Sequence, residues 1–235
     1  MSTKAWIIFV AVCVVLFGGL VVWSQKDRAD VSKIDTSAIQ PARDVSGNIG
    51  DHIFGNKDAK VVIIEYGDYQ CPGCASLYLN MTTATEKYKD YIAFIFRNFP
   101  LTNAHPNARA AAAAAEAAGF EGKYWEMYNL LYENQDEWSG SSTSERASIF
   151  KRYAQTIGID SSKFEETLTD KSSVINQKIS FDQALGAKDK VDGTPTVYMN
   201  GKKMDSNNFP SAEKLEAAIK AELDAQGVKV ADSNE

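Results

Sequence analysis

The apolar positions change period several times along the chain, and each change marks an element. From Ala5 to Trp23, "AWIIFVAVCVVLFGGLVVW", 19 residues pass without a charge. At about 1.5 Å rise per residue such a run just spans a hydrocarbon core, with Trp6 and Trp23 at the depths of the aromatic belts. No small-x-small cleavage site stands near Trp23, so the run predicts an uncleaved single transmembrane helix over 1–23. Cys13 lies inside it and reads as a small hydrophobe. Lys4 and the amino terminus on one side nearly balance Lys26 and Arg28 on the other, so charge does not orient the span. Ser24 to Gly50 shows no apolar period and predicts a polar linker over 24–50, with the domain starting near Asp51.

Val61 to Asp68, "VVIIEYGD", is a β-branched run suited to a central buried strand. Ala75 to Lys89 reads as a helix and Tyr91 to Phe99 as a second strand. Such a β-α-β unit has parallel strands joined by a right-handed crossover. A helical stretch follows: Ala104–Ala118, rich in alanine and stopped by Gly119; Lys123–Asn134, with Trp125, Tyr128, Leu131 and Tyr132 on one core-facing side; a capped helix ending at Gly158; one from Asp160 to Leu168; and one from Ser172 to Leu185. Gly193 to Met204 is a hairpin, because Asn200-Gly201 is the strongest two-residue hairpin turn. Ser211 to Gln226 closes the chain with a helix. The order is β-α-β, helices, β-β-α. This predicts an α/β domain over 51–227 of the thioredoxin type, carrying a helical insert at about 104–187, with 228–235 as a tail.

The hydrophobic fraction of 44% over 235 residues is enough for a buried core. The net charge of −6 argues against a nucleic-acid partner, which needs a basic face.

The chemistry is concentrated in "YQCPGCAS", Tyr69 to Ser76. A structural zinc ion wants four ligands. Outside the apolar run, only Cys71, Cys74, His52 and His105 supply sulfur or imidazole, and nothing brings them together; each histidine reads as a capping or surface residue. A purely structural disulfide would close a tiny loop and constrain little of the unfolded chain. The redox reading fits the local physics. Cys71 follows a strand and is placed to N-cap the next helix, with Pro72 at the first helical position. The orphan N–H groups and positive end of that helix favour a thiolate, so the Cys71 pKa is expected to be depressed to roughly 4.5–6.5. Cys74, one turn on, is placed to resolve a mixed disulfide.

Four segments, "VVIIEYGDYQCPGC", "FRNFPLTNAHPNARAAAAAAEAAG", "KYWEMYNLLY" and "DGTPTVYMNGKKM", together resemble the DsbA-like thiol-disulfide oxidoreductases, above all the membrane-tethered forms of Gram-positive-type bacteria. The likeness runs in order from about His52 to Gln226. It implies that Cys71 is the nucleophile, Cys74 the resolving thiol, Pro195 a cis-proline facing them, and Glu65 a buried acid that moves the Cys74 proton. Thr194, Pro72 and Gly73 would meet the substrate. One departure stands out: Gly73 occupies a position where the best-known members carry histidine. The resemblance further implies an extracytoplasmic enzyme at the cell membrane that needs no cofactor beyond its Cys71–Cys74 disulfide. It would oxidise reduced secreted proteins and be recharged by a DsbB-like or VKOR-like membrane partner. A reductase or isomerase of the same fold, and a peptide-binding module with an inert cysteine pair, remain open alternatives.

Overall fold

The computed structural model describes residues 29–231, with 6, 9–10 and 12–14 near the amino terminus. The transmembrane helix expected over 1–23 therefore lies for the most part outside the described residues. Among the described residues, no helix is long and apolar enough to cross a membrane.

Five strands form one sheet in the order β1-β3-β2-β4-β5. They are β1 (Ile53–Gly55), β2 (Val61–Gly67), β3 (Ile92–Asn98), β4 (Thr196–Met199) and β5 (Lys202–Lys203). β2 and β3 run parallel, as the β-α-β reading requires, and the other pairs are antiparallel. Asn200 and Gly201 turn the β4–β5 hairpin with φ of 47° and 75°, the left-handed pair that this turn type demands. Strand β1 has three residues and no alternating pattern, so the sequence did not announce it.

Helix α1 (Pro72–Lys87) links β2 to β3. Between β3 and β4 the insert supplies α2 (Ala108–Gly119), α3 (Tyr124–Glu133), the single turn α4 (Gln135–Trp138), α5 (Thr143–Thr156), α6 (Ser161–Asp170) and α7 (Ser172–Lys188), and α8 (Ala212–Ala225) follows β5. Helix α2 begins four residues later than the periodicity suggests. The residue before a proline is pushed out of the helical region, and His105, just before Pro106, lies between two short turns.

Alternation along β2 divides the core. Val61 and Ile63 join α1, α8 and most of the insert on one face. Ile64 and Tyr66 join Phe181 and Leu185 of α7 on the other. Glu65 shares the face of Ile63, and this places a carboxylate beneath α1.

The stretch expected to be a polar linker is, from residue 29 on, a strap packed on the second face. Val31 and the side chain of Gln40 are buried. The Lys188 ammonium donates to the carbonyls of Val31, Ser32 and Ile34, at 3.1, 2.9 and 2.6 Å. Arg97 donates to those of Thr36 and Ala38. The strap satisfies one buried and one exposed cation with its backbone, and a backbone partner leaves no mark in side-chain patterning.

Candidate active site

Cys71 caps α1 in extended conformation and Pro72 occupies the first helical position. Cys71 is 7% exposed, whereas Cys74, one turn further on, is completely buried. Both are free thiols in this structure. The Cys71 thiol donates to the Thr194 carbonyl at 3.4 Å, and the Thr194–Pro195 peptide is cis. The site residues expected from the sequence thus meet at one place: Cys71, Cys74, Pro72 and Gly73 from α1, and Thr194 and Pro195 from the opposing loop. A groove on one side of Pro195 is lined by Gly73, Ser76, Leu77, Asn80 and Phe209; one on the other side is lined by Gly193, Thr194, Thr196 and Met204. Each borders a neighbour of Cys71: Gly73 lines the first and Thr194 the second.

The two sulfurs have opposite surroundings. Donation from the Cys74 thiol lowers the Cys71 pKa most; burial opposes it, and the Thr194 hydroxyl and the amides of Cys74 and Gly73 add to it. The result is about 5, inside the range expected from the helix terminus. For Cys74 burial comes first, then the bond it makes to Cys71 and the charges of Glu65 and Cys71; together they push the thiol well up. Glu65 is 1% exposed. Burial, and then the charge on Cys71, raise its carboxyl to about 8. A protonated acid therefore stands at neutral pH beside a buried thiol. Gly67 lets the chain come this close: a Cβ there would lie 2.1 Å from the Phe96 ring and 3.0 Å from Glu65 Oε1.

Residues with no chemical signature of their own hold the loop that carries the cysteines. Asp68 accepts from the Gln70 and Leu101 amides and bonds His105 Nδ1 at 2.8 Å. Gln135 of α4 donates to the Tyr69 and Cys71 carbonyls. Gln70 accepts from the Asn107 amide and donates to the Ser139 carbonyl. Asn107 in turn donates to the carbonyls of Trp138, Ser139 and Ser141. The insert thus clamps the Asp68–Cys71 loop from outside. The expectation that each histidine is a capping or surface residue is corrected here. His105 is spent on Asp68. His52 pairs with buried Glu116 at 2.9 Å and stacks on Tyr124 at 3.7 Å. The partners lie tens of residues away in sequence, so no local pattern could show them.

Paired cysteines of unequal acidity at a helix terminus, faced by a cis-proline and backed by a buried acid, define a thiol-disulfide oxidoreductase. The comparisons with known proteins agree. The thioredoxin family model matches residues 47–221, and the chain belongs to that family, in its DsbA-like branch. It is 29% identical to the probable disulfide bond formation protein D of Bacillus cereus, over 72% of this chain and 77% of that one. It superposes on the crystal structure of oxidised BdbD from Bacillus subtilis with a TM-score of 0.60, at 25% identity, covering 80% of this chain and 98% of that chain. It is also 36% identical, over 72% of its length, to the Na(+)/H(+) antiporter NhaA 3 of Salinispora tropica. The chain spans only 24% of that antiporter.

Proposed function

We propose that this oxidoreductase runs as an oxidase outside the cytoplasm, donating its Cys71–Cys74 disulfide to reduced secreted or membrane proteins. The observation that carries this reading is the asymmetry of the pair. A sulfur with its pKa near 5 is a good leaving group, so the reduced form is favoured and the disulfide is readily given away.

The steps balance as a two-electron exchange. A substrate thiolate attacks Cys71 Sγ in the protein disulfide, the Cys71–Cys74 bond breaks, and Cys74 leaves. A thiolate is costly in that buried position, and the protonated Glu65 carboxyl supplies its proton. A second substrate thiolate then attacks the substrate sulfur of the mixed disulfide and expels Cys71 as a stable thiolate. The substrate loses two electrons and the protein gains them. Pro195, Thr194, Pro72 and Gly73 line the place where the substrate chain would lie. A DsbB-like or VKOR-like membrane protein would recharge the dithiol, and the apolar run over 1–23 would hold the domain beside it.

Turnover of a reduced, unfolded protein by the full chain tests the reading. Cys74→Ser should trap mixed disulfides with substrates in cells, and Cys71→Ser should trap none; the reverse pattern would exchange the two roles. A membrane-impermeant thiol reagent should reach Cys71 in intact cells once envelope layers are opened. Labelling only after lysis would place the domain on the wrong side for an oxidase, and a cysteine pair held reduced in growing cells would favour the reductase.

A further inference from the structure

Five tyrosines pack between the sheet and the insert near the cysteines: Tyr69, Tyr78, Tyr124, Tyr128 and Tyr132. Three of them spend their hydroxyls. Tyr69 and Tyr124 bond each other at 3.4 Å, and Tyr78 donates to Asn129 and Glu133 at 3.1 and 3.0 Å. The hydroxyls of Tyr128 and Tyr132 are buried and have no partner in the protein. Glu65 Oε2 is in the same condition.

The side chains that carry these three oxygens share one neighbourhood. The rings of Tyr128 and Tyr132 lie 5.1 Å apart and pack on Phe96, at 5.2 and 6.0 Å. Phe96 is the β3 residue opposite Glu65 in the sheet register. After burial itself, the neighbour that most opposes ionisation of Tyr128 is Glu65; for Tyr132 it is Cys74, followed by Glu65. Buried polar atoms are almost always satisfied, and where protein atoms do not reach them an ordered water with two to four polar partners does so. A cleft open to solvent, lined by Phe54, Thr82, Glu86 and Trp125, reaches Tyr128.

We infer that Glu65 Oε2 and the hydroxyls of Tyr128 and Tyr132 enclose a buried water site, through which the two tyrosines of the insert position the proton that Glu65 exchanges with Cys74. This rests on the reading of Glu65 as the acid that protonates Cys74. The tyrosines are positioning residues, because they act on the carboxyl and not on the sulfurs. As hydrogen-bond donors they favour the carboxylate form, and so restrain a rise that burial alone would carry further. The other titratable groups around Glu65 are Cys71 and Cys74 of α1 and Tyr69 of the preceding loop; β3 and β4 face it with Phe96 and Val197. Glu116 of α2 and Asp182 of α7 act on Tyr69 from behind.

The test is the reduction of the oxidised full chain by dithiothreitol, followed by stopped flow across pH at constant thiolate concentration. With Glu65 as the acid, the rate falls as pH rises through the titration of Glu65. Tyr128→Phe and Tyr132→Phe should each move that falling limb upward, by about one pH unit for a lost bond to the water that solvates the carboxylate, and leave the low-pH plateau unchanged. In a Glu65→Gln background neither should have any effect. Neither should raise the melting temperature, whereas deleting a hydroxyl that truly lacks a partner would raise it. An unmoved limb in the double Tyr→Phe variant, where Glu65→Gln abolishes the limb, overturns the water site and leaves the acid in place. A limb that survives Glu65→Gln overturns both.

Discussion

Glu65 and Arg97 sit on adjacent strands one register step apart, and their side chains leave the sheet on opposite faces. Both are fully buried. Arg97 meets Asp51 at 2.8 Å, and Asp51 also meets Lys178, which reaches Asp182 at 2.5 Å. Burial would push the Asp51 carboxyl up; the charges of Arg97 and Lys178 outweigh burial and hold it below the ordinary range. Burial likewise opposes charge on Arg97, and Asp51 and Tyr66 more than restore it. Glu65 forms no ion pair among the described residues, and it titrates near 8. Equal depth therefore gives a fixed charged strut in one place and, in the other, a carboxyl that keeps its proton at neutral pH. The difference is the presence of an opposite charge, and the group left without one belongs to the redox site, as perturbed acids in active sites commonly do.

The paired cluster should break hardest. Arg97→Met removes the guanidinium and leaves Asp51 with Lys178 and the Gln40 amide, while the Thr36 carbonyl loses its donor and the Ala38 carbonyl keeps only that from Gln40. Removing one partner of a buried pair typically costs about 3–5 kcal/mol. Urea unfolding should show a loss of that size, and limited proteolysis should open the strap ahead of Asp51. A loss under about 1 kcal/mol, typical of surface pairs, would mean that the network adds little more than its shape.

The unpaired acid should respond with the opposite sign. The folded pKa of Glu65 lies near 8, against an ordinary 4.5. Between those values the folded chain binds more protons than the unfolded one, so stability falls as pH rises, by about 1.4 kcal/mol per pH unit. Glutamine cannot ionise. Glu65→Gln should therefore stabilise the reduced protein by ~3 kcal/mol at pH 7, gain little more above pH 8, and change nothing below about pH 4.5. Redox exchange should slow at the same time, by roughly a hundredfold if Glu65 is the acid. Equal gains in denaturant midpoint at pH 4.5 and pH 7 would show that the effect is packing and not a proton.

How far each cluster could be read in advance follows from how local its signals are. Cys71, Pro72 and Cys74 announce themselves within four positions, and Glu65 is legible because it matches the family's buried acid and stands within a β-branched run. The hairpin and most helix spans were legible for the same reason. Arg97, Asp51 and Lys178 come from a strand, a loop and a helix, and only the folded chain unites them. Gln70, Asn107 and Gln135 read as ordinary polar residues, since their partners are backbone carbonyls. The aromatic stripe of α3 was rightly assigned to the core as rings; its hydroxyls, which matter at the site, leave no periodicity. The strap's apolar residues, Val31, Ile34 and Ile39, are irregularly spaced and match no element.

The smallest effect sharpens the contrast from the side of the sulfurs. The groups that lower the Cys71 pKa most are a thiol, a hydroxyl and two amides, with no cation among them. Gly73 could carry one. A Cβ built there would lie 3.6 Å from Cys71 Sγ and 3.2 Å from Pro195 Cδ, close enough to the sulfur to matter and tight enough that Pro195 must give slightly. An imidazole at that position would offer the thiolate a donor or a positive charge. Without it, the wild-type potential is expected between about −270 mV, the value for thioredoxin, and about −120 mV, that of the strongest oxidant of this kind. Gly73→His should carry the thiolate titration below about 5, read by absorbance at 240 nm, and raise the potential against glutathione by about 30 mV, a tenfold change in the exchange constant. Gly73→Ala adds the same Cβ without a donor and should leave the potential where it was. If alanine shifts it as far as histidine does, the contact with Pro195 and not the charge sets the potential. If the wild-type value falls at or below that of thioredoxin, the proposed direction of electron flow is reversed.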